Sequence, residues 1–262
     1  MTAGLVRLDL LLRRRSLVGY SLGIGVYAFV IVALYPAFRN ETGLDQFTSE
    51  NATLAALFGI TEPLSSSSGW LNANLYANFL PLIVLLITIG YGAGCIAGQN
   101  EEGTLGLVVT LPLTRNRIAL QKVVAMCLVA VPVSAVAAIV VFAGRGFDLQ
   151  VDTGALIGVT IAVLLLGIGF GALALLIGAL TGSRATALGI TAMVAAAAYL
   201  VNSLAPVVSW IRPARLVSPF YYAVGNNQLI DGVSFSSFVV LIGIAVVLSC
   251  GAVIAFRRLD VD

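Results

Sequence analysis

The stretch Gly154–Thr181, GALIGVTIAVLLLGIGFGALALLIGALT, contains no charged residue. A helix needs about 20 mostly apolar residues to cross the ~30 Å hydrocarbon core of a bilayer, and this run exceeds that. The rest of the chain offers no polar shell in which to bury such a helix. Of 262 residues, 60% are hydrophobic and 10% charged, against about 45–50% and about 25% in soluble domains. The mean hydropathy is +1.04. With 14 Lys and Arg and 12 Asp and Glu, a compact soluble protein could not cover its own surface. Lipid must do so, and the chain reads as an integral membrane protein.

Further stretches of spanning length lie on either side. They run near Leu17–Phe38, Leu75–Gly98, Ile118–Ala143, Thr186–Val208 and Ser237–Phe256, which makes six in all. Backbone polar groups in lipid must be satisfied within the segment, so these stretches predict helices. None has an Asp or Glu in its apolar centre. The first could be mistaken for a signal peptide headed by Arg13, Arg14 and Arg15. Its apolar run is too long for that, and no small-residue cleavage site follows.

Lys and Arg placement sets the orientation. With the N-terminus inside, that side holds Arg7, Arg13, Arg14, Arg15, Arg115, Arg117, Lys122, Arg184, Arg257 and Arg258. The other side holds only Arg39, Arg145, Arg212 and Arg215. An even number of spans then puts both termini inside. Residues 1–16 place Leu5, Leu8, Leu11 and Leu12 at helical spacing beside their arginines, as in an amphipathic helix lying on the inner leaflet. The expectation is a single transmembrane domain over residues 1–262, all-α, N-in and C-in.

The sequence also excludes several chemistries. It has no histidine, hence no His-based triad, His-ligated metal or His proton relay. Cys95, Cys127 and Cys250 are scattered through apolar runs and read as buried core thiols rather than a metal or disulfide set. No G-x-x-x-x-G-K-[ST] phosphate loop is present, so ATP chemistry would need another chain. A net charge of +2 argues against nucleic acid as a partner.

The most informative connection joins the second and third stretches. Gly98–Lys122 reads GQNEEGTLGLVVTLPLTRNRIALQK. Gln99–Thr110 suits a short helix with Glu101 and Glu102 in its first turn, where carboxylates favour the dipole. Pro112 would end it, and Thr114 would cap the next span. Such an elbow, hung between two spans, can receive a push from a cytoplasmic partner.

Small residues repeat at Gly90, Gly94 and Gly98 and at Gly167 and Gly171. In lipid, this spacing marks close helix packing or a seam between two copies. Pro81 and Pro132 predict bends within spans. Asn72, Asn74, Tyr76 and Asn78 cluster near the outer end of the second span, where they could line an exit path or anchor the interface. Arg212, Arg215, Tyr221, Tyr222, Asn226 and Asn227 suit a re-entrant outer element.

The Gly98–Lys122 loop resembles the cytoplasmic signature of type-2 ATP-binding-cassette (ABC) exporter permeases. The positions that carry the likeness are Glu101, Glu102, Gly103, Thr104, Leu105, Leu111, Pro112, Thr114, Arg115 and Lys122. Gly106 stands where the family often has Glu. The Leu54–Gly59 segment, the Ser218–Tyr222 segment and the Phe256–Asp260 ending are also similar to the family. The resemblance implies a multi-pass permease in a prokaryotic cell membrane. It would pair with a second permease, the same or a related chain, and dock on a cytoplasmic ATP-binding-cassette ATPase present as two copies or two related chains. ATP and Mg would be bound by that partner and not by this chain. Glu101, Glu102, Gly103, Thr104, Leu105, Pro112 and Arg115 would then couple the two subunits.

Apolar spans suit a hydrophobic or amphipathic cargo, such as a drug-like compound or a lipid. Two other classes compete. An ion-gradient-driven transporter usually carries mid-span acids and internal repeats, and neither is evident in the sequence. A non-transporting scaffold or sensor could share the permease fold.

Overall fold

The computed structural model describes residues 4–40, 60, 62–109, 114–225 and 227–258, with isolated positions 43, 46, 50 and 51 between. Helix accounts for 85% of it, and the described residues contain no strand. Six helices are long and apolar enough to cross a membrane: Gly4–Phe38, Ser67–Glu101, Arg115–Phe147, Thr153–Thr181, Arg184–Leu204 and Phe235–Arg257. They are the first to sixth spans below.

The fourth span is the hub. It packs against the second, third, fifth and sixth spans, while the first pairs mainly with the third. Its buried face includes Val159, Val163, Leu166, Phe170 and Leu175. The second and fourth spans are mostly buried, whereas the first, fifth and sixth are mostly exposed. Large apolar side chains such as Leu22, Phe29, Met193 and Val247 point outward, as expected where lipid is the solvent. Of the cysteines, Cys95 is buried and Cys127 partly so, but Cys250 is exposed. It lies on the outer face of the sixth span, because an apolar run in lipid need not be a core.

The separate interfacial helix expected over residues 1–16 is not seen. The first helix is continuous from Gly4 to Phe38. The change from basic to apolar composition near Ser16 alters what surrounds the helix without breaking it, because Leu and Arg both favour helix and no Pro intervenes. Leu5, Val6 and Asp9 turn inward, whereas Leu8, Leu11 and Leu12 are exposed. Buried Gln121 of the third span accepts a hydrogen bond from the Leu5 N–H at 3.3 Å, satisfying an orphan donor of the helix end.

The second span is interrupted. It begins at Ser67 on a Ser66 cap, widens to a π turn over Asn72–Tyr76 and restarts at Phe79. Pro81 has no N–H to donate back to Ala77, which accounts for a break there. The polar side chains clustered here bond to the backbone across this break and to the fourth span. Asn74 Nδ2 donates to Trp70 O at 2.9 Å and Asn78 Nδ2 to Ala73 O at 3.2 Å. Tyr76 and Thr160 hydroxyls meet at 3.0 Å. The fifth span ends at Leu204 rather than near Val208, since Pro206 cannot continue the hydrogen-bond ladder.

Candidate functional site

The first helix, the ends of the second and fourth spans and the starts of the third and fifth meet at one face of the bundle, called here the terminal face. The second span closes with a π turn over Gly94–Gly98 and a last helical turn, Gln99–Glu101. Gly103 then adopts φ +68°, in the left-handed region, which interrupts the helix. Only glycine takes this conformation without strain. A separate short helix, Thr104–Val109, follows. Its Thr104 hydroxyl donates back to Gln99 O at 3.2 Å, and Leu105 is fully buried.

This geometry corrects one expectation. Glu101 and Glu102 do not start the loop helix; they end the second span, and Gly103 separates them from it. The Glu101 carboxylate serves a different helix. Its Oε1 accepts from the backbone N–H of Arg184 at 2.8 Å, at the first turn of the fifth span. That positive helix end gains a carboxylate from across the loop. Glu102 is exposed. Gly182, at φ +66°, ends the fourth span, and Ser183 caps the fifth by accepting from Thr186 N–H. The end of the second span thus touches the start of the fifth beside the loop. Pro112 and Leu111 fall outside the described residues, as does the Leu54–Gly59 segment. Thr114 occupies the cap position of the third span, but its side chain makes no capping bond. Beside it, Arg115 Nη1 donates to Arg257 O at 3.4 Å, bringing the end of the sixth span to the same face.

The glycines divide by role. An ideal Cβ on Gly171 would stand 2.7 Å from Met126 Sδ and 3.0 Å from Thr88, and one on Gly167 would strike Val84. A Cβ on Gly94 would lie 3.3 Å from the Arg13 guanidinium, and one on Gly98 would lie 3.2 Å from Arg184 Cδ. Gly90 faces open space. The backbone seam between the second and fourth spans uses Gly92, whose Cβ would collide with the Gly171 carbonyl. Sequence reasoning passed over Gly92 because it lies outside the four-residue register of Gly90, Gly94 and Gly98.

Another feature escaped that reading. Lys122 is buried, with 1% of its side chain exposed, and lies 3.0 Å from Asp9 at 8%. Both Asp9 oxygens accept from its ammonium. The Tyr91 hydroxyl also donates to Asp9 Oδ2 at 2.5 Å. Removing two charges from water is costly, and their attraction offsets that only when the remaining lone pairs are satisfied. Here Tyr91 and Lys122 together do so. The cluster ties the first helix to the second and third spans.

Two apolar cavities flank the fifth span. One of about 530 Å³ lies between the fourth, fifth and sixth spans, with Phe170, Val201, Leu241 and Leu248 in its wall. The other, about 610 Å³, is bounded by Phe79, Leu85, Ile89, Gly90, Leu188 and Tyr199. At the far face, Ser218 and Pro219 start the helix Pro219–Val224. Ser218 Oγ donates to Ala198 O at 2.7 Å, and Phe220 closes one wall of the second cavity. Arg215 reaches the Gly225 carbonyl and stacks 4.9 Å over Tyr221. Partial burial lowers its pKa from the ordinary guanidinium value.

A stretch of 113 residues is 38% identical to the "probable ABC transporter permease protein NosY" of Stutzerimonas stutzeri. That alignment takes in 43% of this chain and 33% of the relative, so the chain spans about a third of that protein's length. Residues 4–261 match the ABC-2 family transporter protein family. Since this match covers nearly the whole sequence, the chain belongs to the ABC-2 transporter family, as a multi-pass permease subunit.

Proposed function

We propose that the chain is the membrane-spanning half of an ATP-driven exporter, powered by a separate ATP-binding-cassette subunit at the terminal face. That face is cytoplasmic, so the arrangement is N-in and C-in in a cell membrane, and a second permease completes the passage. The observation that carries the reading is the elbow around Gly103. Force applied to Thr104–Val109 reaches the second span through the Gly103 turn and the fifth through Glu101 and Arg184. The fifth span is the more loosely held of the two, with an apolar cavity on each side. ATP binding drives a change only if one conformation of the complex binds it better, and a movable fifth span supplies two conformations. The near absence of polar groups in both cavity walls supports a hydrophobic or amphipathic cargo moving outward.

Charge reversal tests the coupling role. In the complex reconstituted in vesicles, Glu101→Lys with Glu102→Lys is expected to reduce substrate-stimulated ATP hydrolysis about tenfold, the effect of roughly 1.4 kcal/mol. The spans should remain folded. Glu102→Lys alone separates partner contact from the capping of Arg184, because Glu102 is exposed. Full stimulation in the double variant would rule out the loop as the coupling element.

A further inference from the structure

A polar cleft of about 350 Å³ opens beside the Asp9–Lys122 pair. It is lined by Asp9, Leu12, Arg13, Ser16, Tyr91 and Gln99 among others. Its charge is unbalanced. Lys122 neutralises Asp9, which leaves Arg13 uncompensated. The Arg13 guanidinium lies 4.8 Å above the Tyr91 ring and over Gly94, where a Cβ would meet it at 3.3 Å. Among the described residues it forms no ion pair. Gln99 also lines the cleft, and its Oε1 is buried with no hydrogen-bond partner. The cleft wall thus carries a cation without a counterion and an acceptor without a donor.

Its depth indicates where the ligand comes from. At 1.5 Å per residue, Arg13 lies about 33 Å along one continuous helix from Tyr35. Tyr35 packs beside Trp70, on which Phe38 stacks, an aromatic group of the kind that marks a membrane interface. With a ~30 Å hydrocarbon core, Arg13 sits in the opposite headgroup layer. Leu12 forms the lip of the cleft and is 72% exposed, with Leu8 and Leu11 also exposed beside it.

We propose that this cleft binds an anionic phospholipid whose headgroup carries a hydroxyl. Arg13 donates to the phosphodiester oxygens, the headgroup hydroxyl donates to Gln99 Oε1, and an acyl chain runs along Leu12. The bound lipid tethers the first helix to the second span at the ion-pair cluster. This inference needs only the membrane setting of the fold and stands apart from the direction or cargo of transport.

The test uses the full chain in detergent, read by native mass spectrometry. Probes are dioctanoyl phosphatidylglycerol, dioctanoyl phosphatidylcholine and inorganic phosphate. Phosphatidylglycerol is expected to be retained in preference to phosphatidylcholine. Removing a charge-assisted hydrogen bond with Arg13→Gln should lower its retention about tenfold. Arg13→Lys should restore part of it, and Arg14→Gln, at an exposed neighbour, should leave it unchanged. Leu12→Ser, at an exposed site that folding does not depend on, should also weaken retention. Equal loss in Arg13→Gln and Arg14→Gln would show diffuse attraction and overturn the site. Effective competition by inorganic phosphate would overturn the lipid assignment. Full retention in both Arg13→Gln and Leu12→Ser would overturn the proposal altogether.

Discussion

Replacing Lys122 with methionine is expected to destabilise the protein by about 3–5 kcal/mol, the cost of leaving one member of a buried ion pair without its partner. The Asp9 carboxylate would remain in the contact between the first and third spans, with only the Tyr91 hydroxyl to satisfy it. Asp9→Asn combined with Lys122→Met removes both charges and should recover most of the loss. Thermal unfolding of the detergent-solubilised protein would show a large drop for the single variant and a small one for the pair. Equal drops for both would mean that the ion pair contributes little beyond the space it fills.

Gly92→Ala is expected to be nearly as damaging. Helices in lipid associate through close packing, without the hydrophobic driving force that water provides. A new methyl group at position 92 would meet the Gly171 carbonyl and, at 3.2 Å, the Ala174 methyl. Backbone cannot move aside as a flexible side chain can, so the second and fourth spans must separate. A cost of about 3 kcal/mol is in keeping with overpacking of a rigid site. Gly90→Ala is the control. Nothing lies within 4 Å of its Cβ position, and alanine at a helix interior is neutral or stabilising by up to about 1 kcal/mol. Retention of a stable, monodisperse protein in detergent on heating distinguishes them; similar behaviour of the two would place the seam elsewhere.

What the sequence reveals about this fold depends on whether the cause is local. The spans were legible because a long apolar run without charges has few other places to go, although the first begins at Gly4 rather than Leu17 and the second at Ser67 rather than Leu75. The Pro81 break lay in a single residue. Continuity of the first helix was harder to read, because charged and apolar halves look like two elements although helix propensity runs through both. A short helix between the second and third spans was legible, but Gly103 breaks the stretch expected to be one helix over Gln99–Thr110, so the carboxylates end the second span instead. Glu101 meets Arg184 across 83 positions, and no local spacing shows such a contact. The Asp9–Lys122 pair spans 113 positions for the same reason. The glycine register pointed to Gly90 because a four-residue repeat is visible in sequence. The rotation that turns Gly92 toward Gly171 is set only when the helices pack.

The central claim is that the Thr104–Val109 helix receives motion from an ATP-binding partner. Thr104 is exposed, so a cysteine there, in a variant with Cys95, Cys127 and Cys250 replaced, can report that contact directly. After purification with the associated ATPase, Thr104→Cys should cross-link to that subunit through a short thiol-to-amine reagent. The yield should change between the nucleotide-free and ATP-bound states. A partner that co-purifies but never cross-links at this position, in either state, would contradict the account.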